Sequence, residues 1–148
     1  MKTNEVIASL KSRIETEMPT SFHSVKAVAG SPIDQLLMTK KGIHCMISYR
    51  REKPSRVDAA GGVLMRRMVI GITLMMVHTG KTATEGQLSR LNDGMDTMID
   101  VMTVPADPAV WWGADANICG VEVNEIFAVT SPTGDYTGRD MLFNVMVI

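Results

Sequence analysis

Histidine and cysteine are the residue types in this chain best suited to act together as base and nucleophile. His44 and Cys45 are adjacent, whereas His23 and His78 lie elsewhere in the sequence. An imidazole within hydrogen-bond reach of a thiol can activate it for covalent catalysis. Neighbours in a strand point to opposite faces, so His44 cannot serve Cys45, and a Cys45–His78 pair across strands is the remaining arrangement. Histidines held in structural hydrogen bonds explain the same residues, and we predict that the chain has no catalytic residues and is not an enzyme.

A phosphate-binding loop is suggested by Gly80-Lys81-Thr82. Such a loop needs a second glycine five residues before the one that precedes the lysine, because its backbone must wrap closely around the phosphates. Met75 occupies that position. A turn followed by a helix cap accounts for the same residues, and we predict no nucleotide or other cofactor.

The acidic and sulfur-containing residues lack the spacing of a metal site. Asp93, Asp96 and Asp100 share one face of a predicted helix, but a hard cation would also need carbonyl oxygens from a loop. Cys45 and Cys119 form neither a CxxC motif nor a zinc-type pattern with histidine. We predict no metal, a solvated acidic helix face and two reduced, buried thiols.

Charge is distributed unevenly along a chain whose net charge is −1. Residues 40–67, the basic segment, hold eight cations and two acids, whereas residues 84–148 hold ten acids and two arginines. A basic patch that meets an acidic patch on the next copy would make a heterologous interface of the kind that builds rings or filaments. Nucleic-acid binding by the basic segment is the alternative. The interface candidates of both signs are Arg50, Arg51, Lys53, Arg56, Arg66, Arg67, Asp93, Asp96 and Asp100.

Trp111 and Trp112 are adjacent in a predicted loop. Two neighbouring indoles do not enter one core pocket together, so one of them is a candidate interface anchor, a role in which tryptophan is enriched. Packing of both into the core through the loop geometry is the alternative.

The elements that position these residues follow from hydrophobic periodicity. Residues 4–18 read as an amphipathic helix that Thr3 or Asn4 can cap. A second helix follows the capping-box pattern from Thr82 to Glu85 and extends to about residue 102.

The strand signals lie between and after these helices. Residues 22–29, 43–49 and 63–78 read as strands, and the last of these is apolar on both faces and therefore central in the sheet. Residues 50–62 are predicted to be a polar loop, and Gly71 predicts a bulge or a close backbone approach. Residues 118–130 and 141–148 predict a hairpin around a turn at 131–135.

We therefore predict an α+β fold, a mostly antiparallel sheet with two main helices packed on it, as one domain over residues 1–148. The longest apolar stretch, residues 68–77, is too short to span a bilayer, and residues 1–18 lack the apolar core of a signal peptide.

The order of these elements resembles the tail terminator and minor tail proteins of tailed bacteriophages, of the Mu-like and lambda-like kinds. The resemblance rests on pattern over nearly the whole chain. It includes the long central strand, the second helix and the terminal hairpin. At the start of the chain it includes the helix Val6-Ile7-Ala8-Ser9-Leu10-Lys11-Ser12-Arg13-Ile14 and the segment Phe22-His23-Ser24-Val25-Lys26.

This resemblance implies a structural virion protein that assembles in the host cytoplasm. It implies a homo-oligomeric ring, commonly of six copies, that caps the tail tube, stops its polymerisation and joins the tail to the head. The implied partners are other copies, the tube protein and head–tail connector proteins, with no membrane, cofactor or direct nucleic-acid contact. A head–tail connector or neck subunit, a nucleic-acid-binding module that uses residues 40–67, and a small cytosolic enzyme are the alternatives.

Overall fold

The computed structural model describes residues 2–28, 42–52, 57–59, 63–78, 80, 82–103, 116–131 and 134–147. These residues form two helices and seven strands. The helices are α1 (Thr3–Glu17) and α2 (Glu85–Thr103). The strands are β1 (Ser24–Ala27), β2 (Ile43–Glu52), β3 (Val57–Ala59), β4 (Val63–His78), β5 (Ala116–Val123), β6 (Phe127–Ser131) and β7 (Gly134–Val147).

The strands form a sheet in the order β1-β2-β4-β7-β5, in which β6 also pairs with β7 and β3 pairs with β4. β1 runs parallel to β2, and every other pairing is antiparallel. The predicted combination of two helices and a mostly antiparallel sheet is confirmed.

β4 is the centre of the sheet, as its two apolar faces predicted. Its bounds match the predicted strand 63–78, and it pairs with β2 on one side and with β7 on the other. Residues 68–76 are buried without interruption, so both faces of this stretch are covered. A strand buried on both faces needs apolar residues at successive positions, and this accounts for its composition.

Both helices pack on the same face of the sheet, which we call the helix face. α1 contacts β1 and β2, and α2 contacts β4, β5 and β7. The fully buried Leu10 and Leu91 anchor the two helices in this core. Truncation of a buried leucine of this kind to alanine costs about 2–5 kcal/mol. The other buried residues from the helices are Val6, Ile14, Met98 and Met102.

The opposite face carries a smaller apolar cluster near the C-terminal end of β4, where His78 lies. Met46, Met75 and Tyr136 form its buried centre. Phe127 and Val129 of β6 pack against this centre together with Val28 and Val77. Met46 and Met75 therefore serve as core residues, as expected for a flexible, polarisable side chain that fills irregular gaps.

The starts of both helices differ from the sequence predictions. α1 begins at Thr3, with Lys2 as N-cap, and the Lys2 backbone N–H donates to the Glu5 carboxylate at 2.6 Å. Neither Thr3 nor Asn4 is the cap, because Glu5 reaches back to Lys2 instead.

The capping box of α2 lies two residues later than predicted. Thr84, not Thr82, is the cap residue: its Oγ1 accepts from the Gln87 backbone N–H at 3.2 Å. The Gln87 side chain in turn accepts from the Thr84 backbone N–H at 2.8 Å. Glutamine satisfies the reciprocal bond as well as glutamate does, so the Thr84–Gln87 pattern overlaps the predicted one and replaces it.

The predicted loop at residues 50–62 contains two strand segments. β2 continues through Glu52, and β3 pairs with the first three residues of β4. A bulge at Arg50 separates the pairs Tyr49–Ile70 and Arg51–Val69. An extra residue of this kind bends the strand and re-aims a side chain, and here it places Arg50 over the middle of the sheet.

The predicted terminal hairpin is present, with its first strand divided. β5 pairs with the C-terminal half of β7 and β6 with its N-terminal half, both along the same edge. Residues 124–126 interrupt the ladder, but the Asn124 backbone N–H still donates to the Asp140 carbonyl at 2.9 Å. β7 begins at Gly134, seven residues before the predicted start, so Asp140 lies inside the strand.

Candidate interaction surfaces

A polar cluster lies on the face of the sheet opposite the helices, with Arg50 at its centre. The Arg50 Nη2 is 2.8 Å from Asp140 Oδ1, and the two side chains are 24% and 14% exposed. The same guanidinium donates to Ser48 Oγ at 2.7 Å and to Thr73 Oγ1 at 3.3 Å. β2 and β7 are thereby joined by a charge-assisted contact across the central strand β4.

Asp140 accepts further hydrogen bonds from Thr73 of β4 and from Asn124, which follows β5. Thr73 Oγ1 donates to its Oδ1 at 2.7 Å, and Asn124 Nδ2 donates to its Oδ2 at 3.0 Å. The carboxylate therefore has partners on both oxygens, which is what a half-buried charge requires. The sequence analysis missed Asp140 because its predicted strand began one residue later, at Met141.

Gly71 makes room for this cluster. It lies in β4 between Ser48 of β2 and Leu142 of β7, and a Cβ built on it would overlap the Arg50 guanidinium. The predicted close backbone approach is therefore replaced by the approach of an arginine side chain, and the bulge lies in β2 at Arg50, two residues beyond the Gly71 partner Ser48.

The other described arginines of the basic segment lie near the end of the sheet where β2 ends. Arg51 is exposed, Arg67 is half-buried, and Arg66 forms an ion pair with Glu52 and also donates to Thr3 Oγ1 at 3.3 Å. Lys53 and Arg56 lie outside the described residues. The structure thus separates the predicted contact residues: Arg50 holds the fold together, while Arg51 faces solvent.

The acidic candidates lie on the outer side of α2. Asp93, Asp96 and Asp100 are exposed, and the stripe of Leu91 and Met98 faces the core. Neither of the ion pairs that Arg50 and Arg66 make uses an acid of this helix. In the described part of the chain, Arg50 and Arg66 therefore take their acidic partners from the sheet and not from α2. Trp111 and Trp112 lie outside the described residues.

The histidines and Cys45 do not form a nucleophilic pair. His78 is buried, and its ring nitrogens lie 2.7 Å from the Gly80 carbonyl oxygen and 2.9 Å from Thr137 Oγ1. Cys45 is opposite Leu74, four residues from His78 along β4, and burial raises the pKa of its thiol far above the ordinary value. A thiol that resists ionisation is a poor nucleophile.

A second histidine contact lies beside β1. His44 Nδ1 is 2.7 Å from Ser24 Oγ, and the rings of His23 and His44 meet edge to face with centroids 5.1 Å apart. These contacts tie β1 and the residue before it to β2, where Ser24 and His44 are register partners. Among the described residues, no group of three or more histidine, cysteine or acidic side chains is placed to hold a metal ion.

The two outer edges of the sheet expose further side chains. Val123 and Ile126, on the β5–β6 edge, are 42% and 43% exposed, which is unusual for large apolar residues in the described part of the chain. Glu122 and Glu125 beside them are also exposed. At the other edge, Lys26 of β1 is exposed. No sequence pattern marked these residues, because exposure at an edge depends on which strand is last in the sheet.

No helix in the described ranges is long and apolar enough to cross a bilayer. Comparison with protein-family models gives no match, and comparison with curated proteins also gives none. Among solved structures, a chain from the "Virion of native gene transfer agent (GTA) particle" is similar at 14% identity and a TM-score of 0.48. The match covers 96% of this chain and 93% of that one. At this level the similarity carries no argument about function.

Proposed function

We propose that the chain is a structural virion protein that forms a ring on a phage tail tube, ends tube polymerisation and joins the tail to the head. The observation that carries the proposal is a sheet with both helices on one face, in which β1 and β5–β6 are the outermost of the described strands on the two sides. Subunits with unlike edges can join head to tail, and such contacts close into rings when the rotation allows it.

The element order supports the same role. The features behind the resemblance to tail terminators were the first helix, the long central strand, the second helix and the terminal hairpin. The structure contains each of them: α1, β4, α2 and the β5–β6–β7 hairpin. The ring and the tube-capping role come from that resemblance.

The reactive side chains support a non-enzymatic role, because they serve the fold. Cys45 is part of the core, His78 holds Gly80 and Thr137, and Arg50 holds Asp140. Each of these groups has a structural task that explains its presence.

The surfaces proposed for partners follow from exposure. Arg51, with Arg66 and Arg67 nearby in the sheet, is our candidate for contact with the tube, and the acidic side of α2 is the candidate for contact with a neighbour or a connector. Arg50 is a poor surface probe, because its reversal to glutamate would place a second carboxylate beside Asp140. Arg51→Glu is the appropriate variant, because Arg51 is exposed.

The test is deletion of the gene that encodes this chain from its phage genome, followed by electron microscopy of the phage particles that form. The proposal predicts tails of uncontrolled length without heads, and an epitope-labelled chain at the head-proximal end of normal tails. Tails of normal length that fail to join heads would reassign the chain to a connector role. Normal, infectious particles would refute a role in the virion.

A further inference from the structure

Among the described strands, those at the two outer edges of the sheet run in opposite directions. β1 is parallel to β2, and three antiparallel steps follow, from β2 to β4, from β4 to β7, and from β7 to β5–β6. β5–β6 is therefore antiparallel to β1. In a ring whose axis lies along the strands, strand directions are the same in every copy, so β1 of one copy would meet β5–β6 of the next in the antiparallel sense.

These edges also lie at the same height along the strands. Register partners on successive strands can be followed across the sheet. One path leads from the first residue of β1 to β6, and another leads from the last residue of β1 to β5. The first path is Ser24, His44, Met75, Gly138, Phe127, and the second is Ala27, Ile47, Ile72, Met141, Val123. β1 is thus level with residues 123–127, so a neighbour turned about the ring axis meets this segment without a shift along the axis. A contact without axial rise closes a ring and does not build an open helix.

The side chains at this height are complementary. The β5–β6 edge exposes Val123 and Ile126 beside the carboxylates of Glu122 and Glu125, and the β1 edge exposes the Lys26 ammonium. Lys26 is level with Asp140, to which Asn124 bonds, and so faces the middle of the acidic stretch. Burial of the two apolar residues would stabilise the contact, and the opposite charges would set its register.

We infer that β1 of one copy lies antiparallel along residues 123–127 of the next copy, from the end of β5 across the interruption at 124–126 to the start of β6, which brings the sheets of neighbouring subunits edge to edge around the ring. This inference rests on the proposed ring and names the surface that closes it. The partner is a second copy of this chain, and the contact is heterologous because its two sides are different strands.

Carbodiimide coupling of the wild-type chain gives a direct test, because it joins an ammonium and a carboxylate that are in contact. Lys26 and Glu122 or Glu125 lie four strand spacings apart in one molecule, about 19 Å, so a bond between them must join two molecules. The expected result is a covalent ladder that extends beyond the dimer, with Lys26–Glu122 or Lys26–Glu125 peptides in the mass spectrum. A ladder that stops at the dimer, or that lacks these peptides, overturns the inference.

Charge reversal gives a second test with a built-in rescue. Lys26→Glu makes both edges acidic, and the double variant Glu122→Lys, Glu125→Lys makes both edges basic. Each variant alone should raise the concentration needed for half-assembly about fivefold or more, as measured by light scattering. An equimolar mixture should assemble again, because alternating copies make every interface complementary.

Arg90→Glu is the matched control, since it reverses an exposed charge of α2 that belongs to neither edge strand and is not an interface candidate, and it should leave assembly unchanged. Loss of assembly in this control with normal assembly of the edge variants would place the contact on α2 and overturn the inference. A wild-type chain that stays monomeric and gives no Lys26 crosslink at high concentration also overturns it. The proposed virion role is then decided separately by the deletion and labelling experiment.

Discussion

Arg50 and Asp140 are 90 residues apart in sequence, yet their side chains meet at 2.8 Å across the central strand β4. The contact joins β2 to β7 over the one position of β4, Gly71, that has no side chain in the way. Since both groups are mostly buried, the loss of one leaves the other without its main charged partner.

A double-mutant cycle measures this coupling. We expect Arg50→Gln and Asp140→Asn each to lower the free energy of unfolding by about 1–3 kcal/mol. The double variant should lose about 1 kcal/mol less than the sum of the two, because the second change removes a contact that is already broken. Urea unfolding checks this, with the exposed Arg51→Gln as control within about 0.5 kcal/mol of wild type. Additive losses would mean that the two charges act independently.

Gly71→Ala tests whether the space over β4 is needed. The new methyl group would force the guanidinium away from Asp140, Thr73 and Ser48, and we expect a loss of about 1–3 kcal/mol. Gly86→Ala is the matched control, because nothing lies within 4 Å of its Cβ position in α2 and alanine favours the helix. In thermal unfolding, the midpoint temperature of Gly71→Ala should fall below that of wild type, and the midpoint of Gly86→Ala should rise above it. An unchanged Gly71→Ala midpoint would show that Arg50 relocates without cost.

The start of α2 gives a prediction at a single hydroxyl group. Thr84→Ala should cost about 1 kcal/mol, because the Gln87 backbone N–H loses its acceptor. Thr82→Ala, two residues earlier and exposed, should leave stability within about 0.5 kcal/mol of wild type. Chemical denaturation distinguishes the two variants. A larger loss of stability for Thr82→Ala than for Thr84→Ala would show that Thr82 is the N-cap residue, as the sequence alone suggested.

Cys45 should resist alkylation in the folded protein. Its thiol is fully buried and its pKa is raised by desolvation, so iodoacetamide at pH 8 should modify it only as fast as the protein unfolds. Peptide mass spectrometry identifies the site, and addition of urea should accelerate the reaction at Cys45. Rapid modification under native conditions would show that the helix-face core opens locally.

The raised pKa of the Cys45 thiol also predicts that the folded protein loses stability at alkaline pH. A folded-state pKa above the unfolded value means that the stabilisation is complete below about pH 8.5 and declines as pH rises further. We expect this group to contribute a slope of up to about 1.4 kcal/mol per pH unit above that point. Urea unfolding from pH 7 to pH 10 should show a shallower decline for Cys45→Ala than for wild type. Parallel curves would assign the decline to other groups.

The sequence predicted the parts of the fold that depend on local periodicity. Helix α1 was predicted within one residue at each end, and β4 matched its predicted bounds, because an apolar stripe and an uninterrupted apolar strand are set by neighbouring residues. The burial of Cys45 was also predicted, because the sequence offers this residue neither a CxxC motif nor a zinc-type pattern.

Features that depend on distant partners were not predicted. Arg50 looked like a loop residue because its neighbours are polar, and its position is determined by Asp140 of β7. β3 consists of three residues, too short for a periodic signal, and its partner is the start of β4. The exposed Val123 and Ile126 became candidate contact residues only when the strand order placed them at an edge.

The strand order has a consequence for synthesis of the protein. β4 is complete at His78, but its second partner β7 ends at Val147, so one side of a 16-residue strand stays open while about seventy more residues leave the ribosome. Non-local pairings of this kind form slowly. An open apolar strand is also a template for unwanted pairing. We therefore expect the nascent chain to need chaperones during this interval, because the open side of β4 has no partner until β7 has been synthesised.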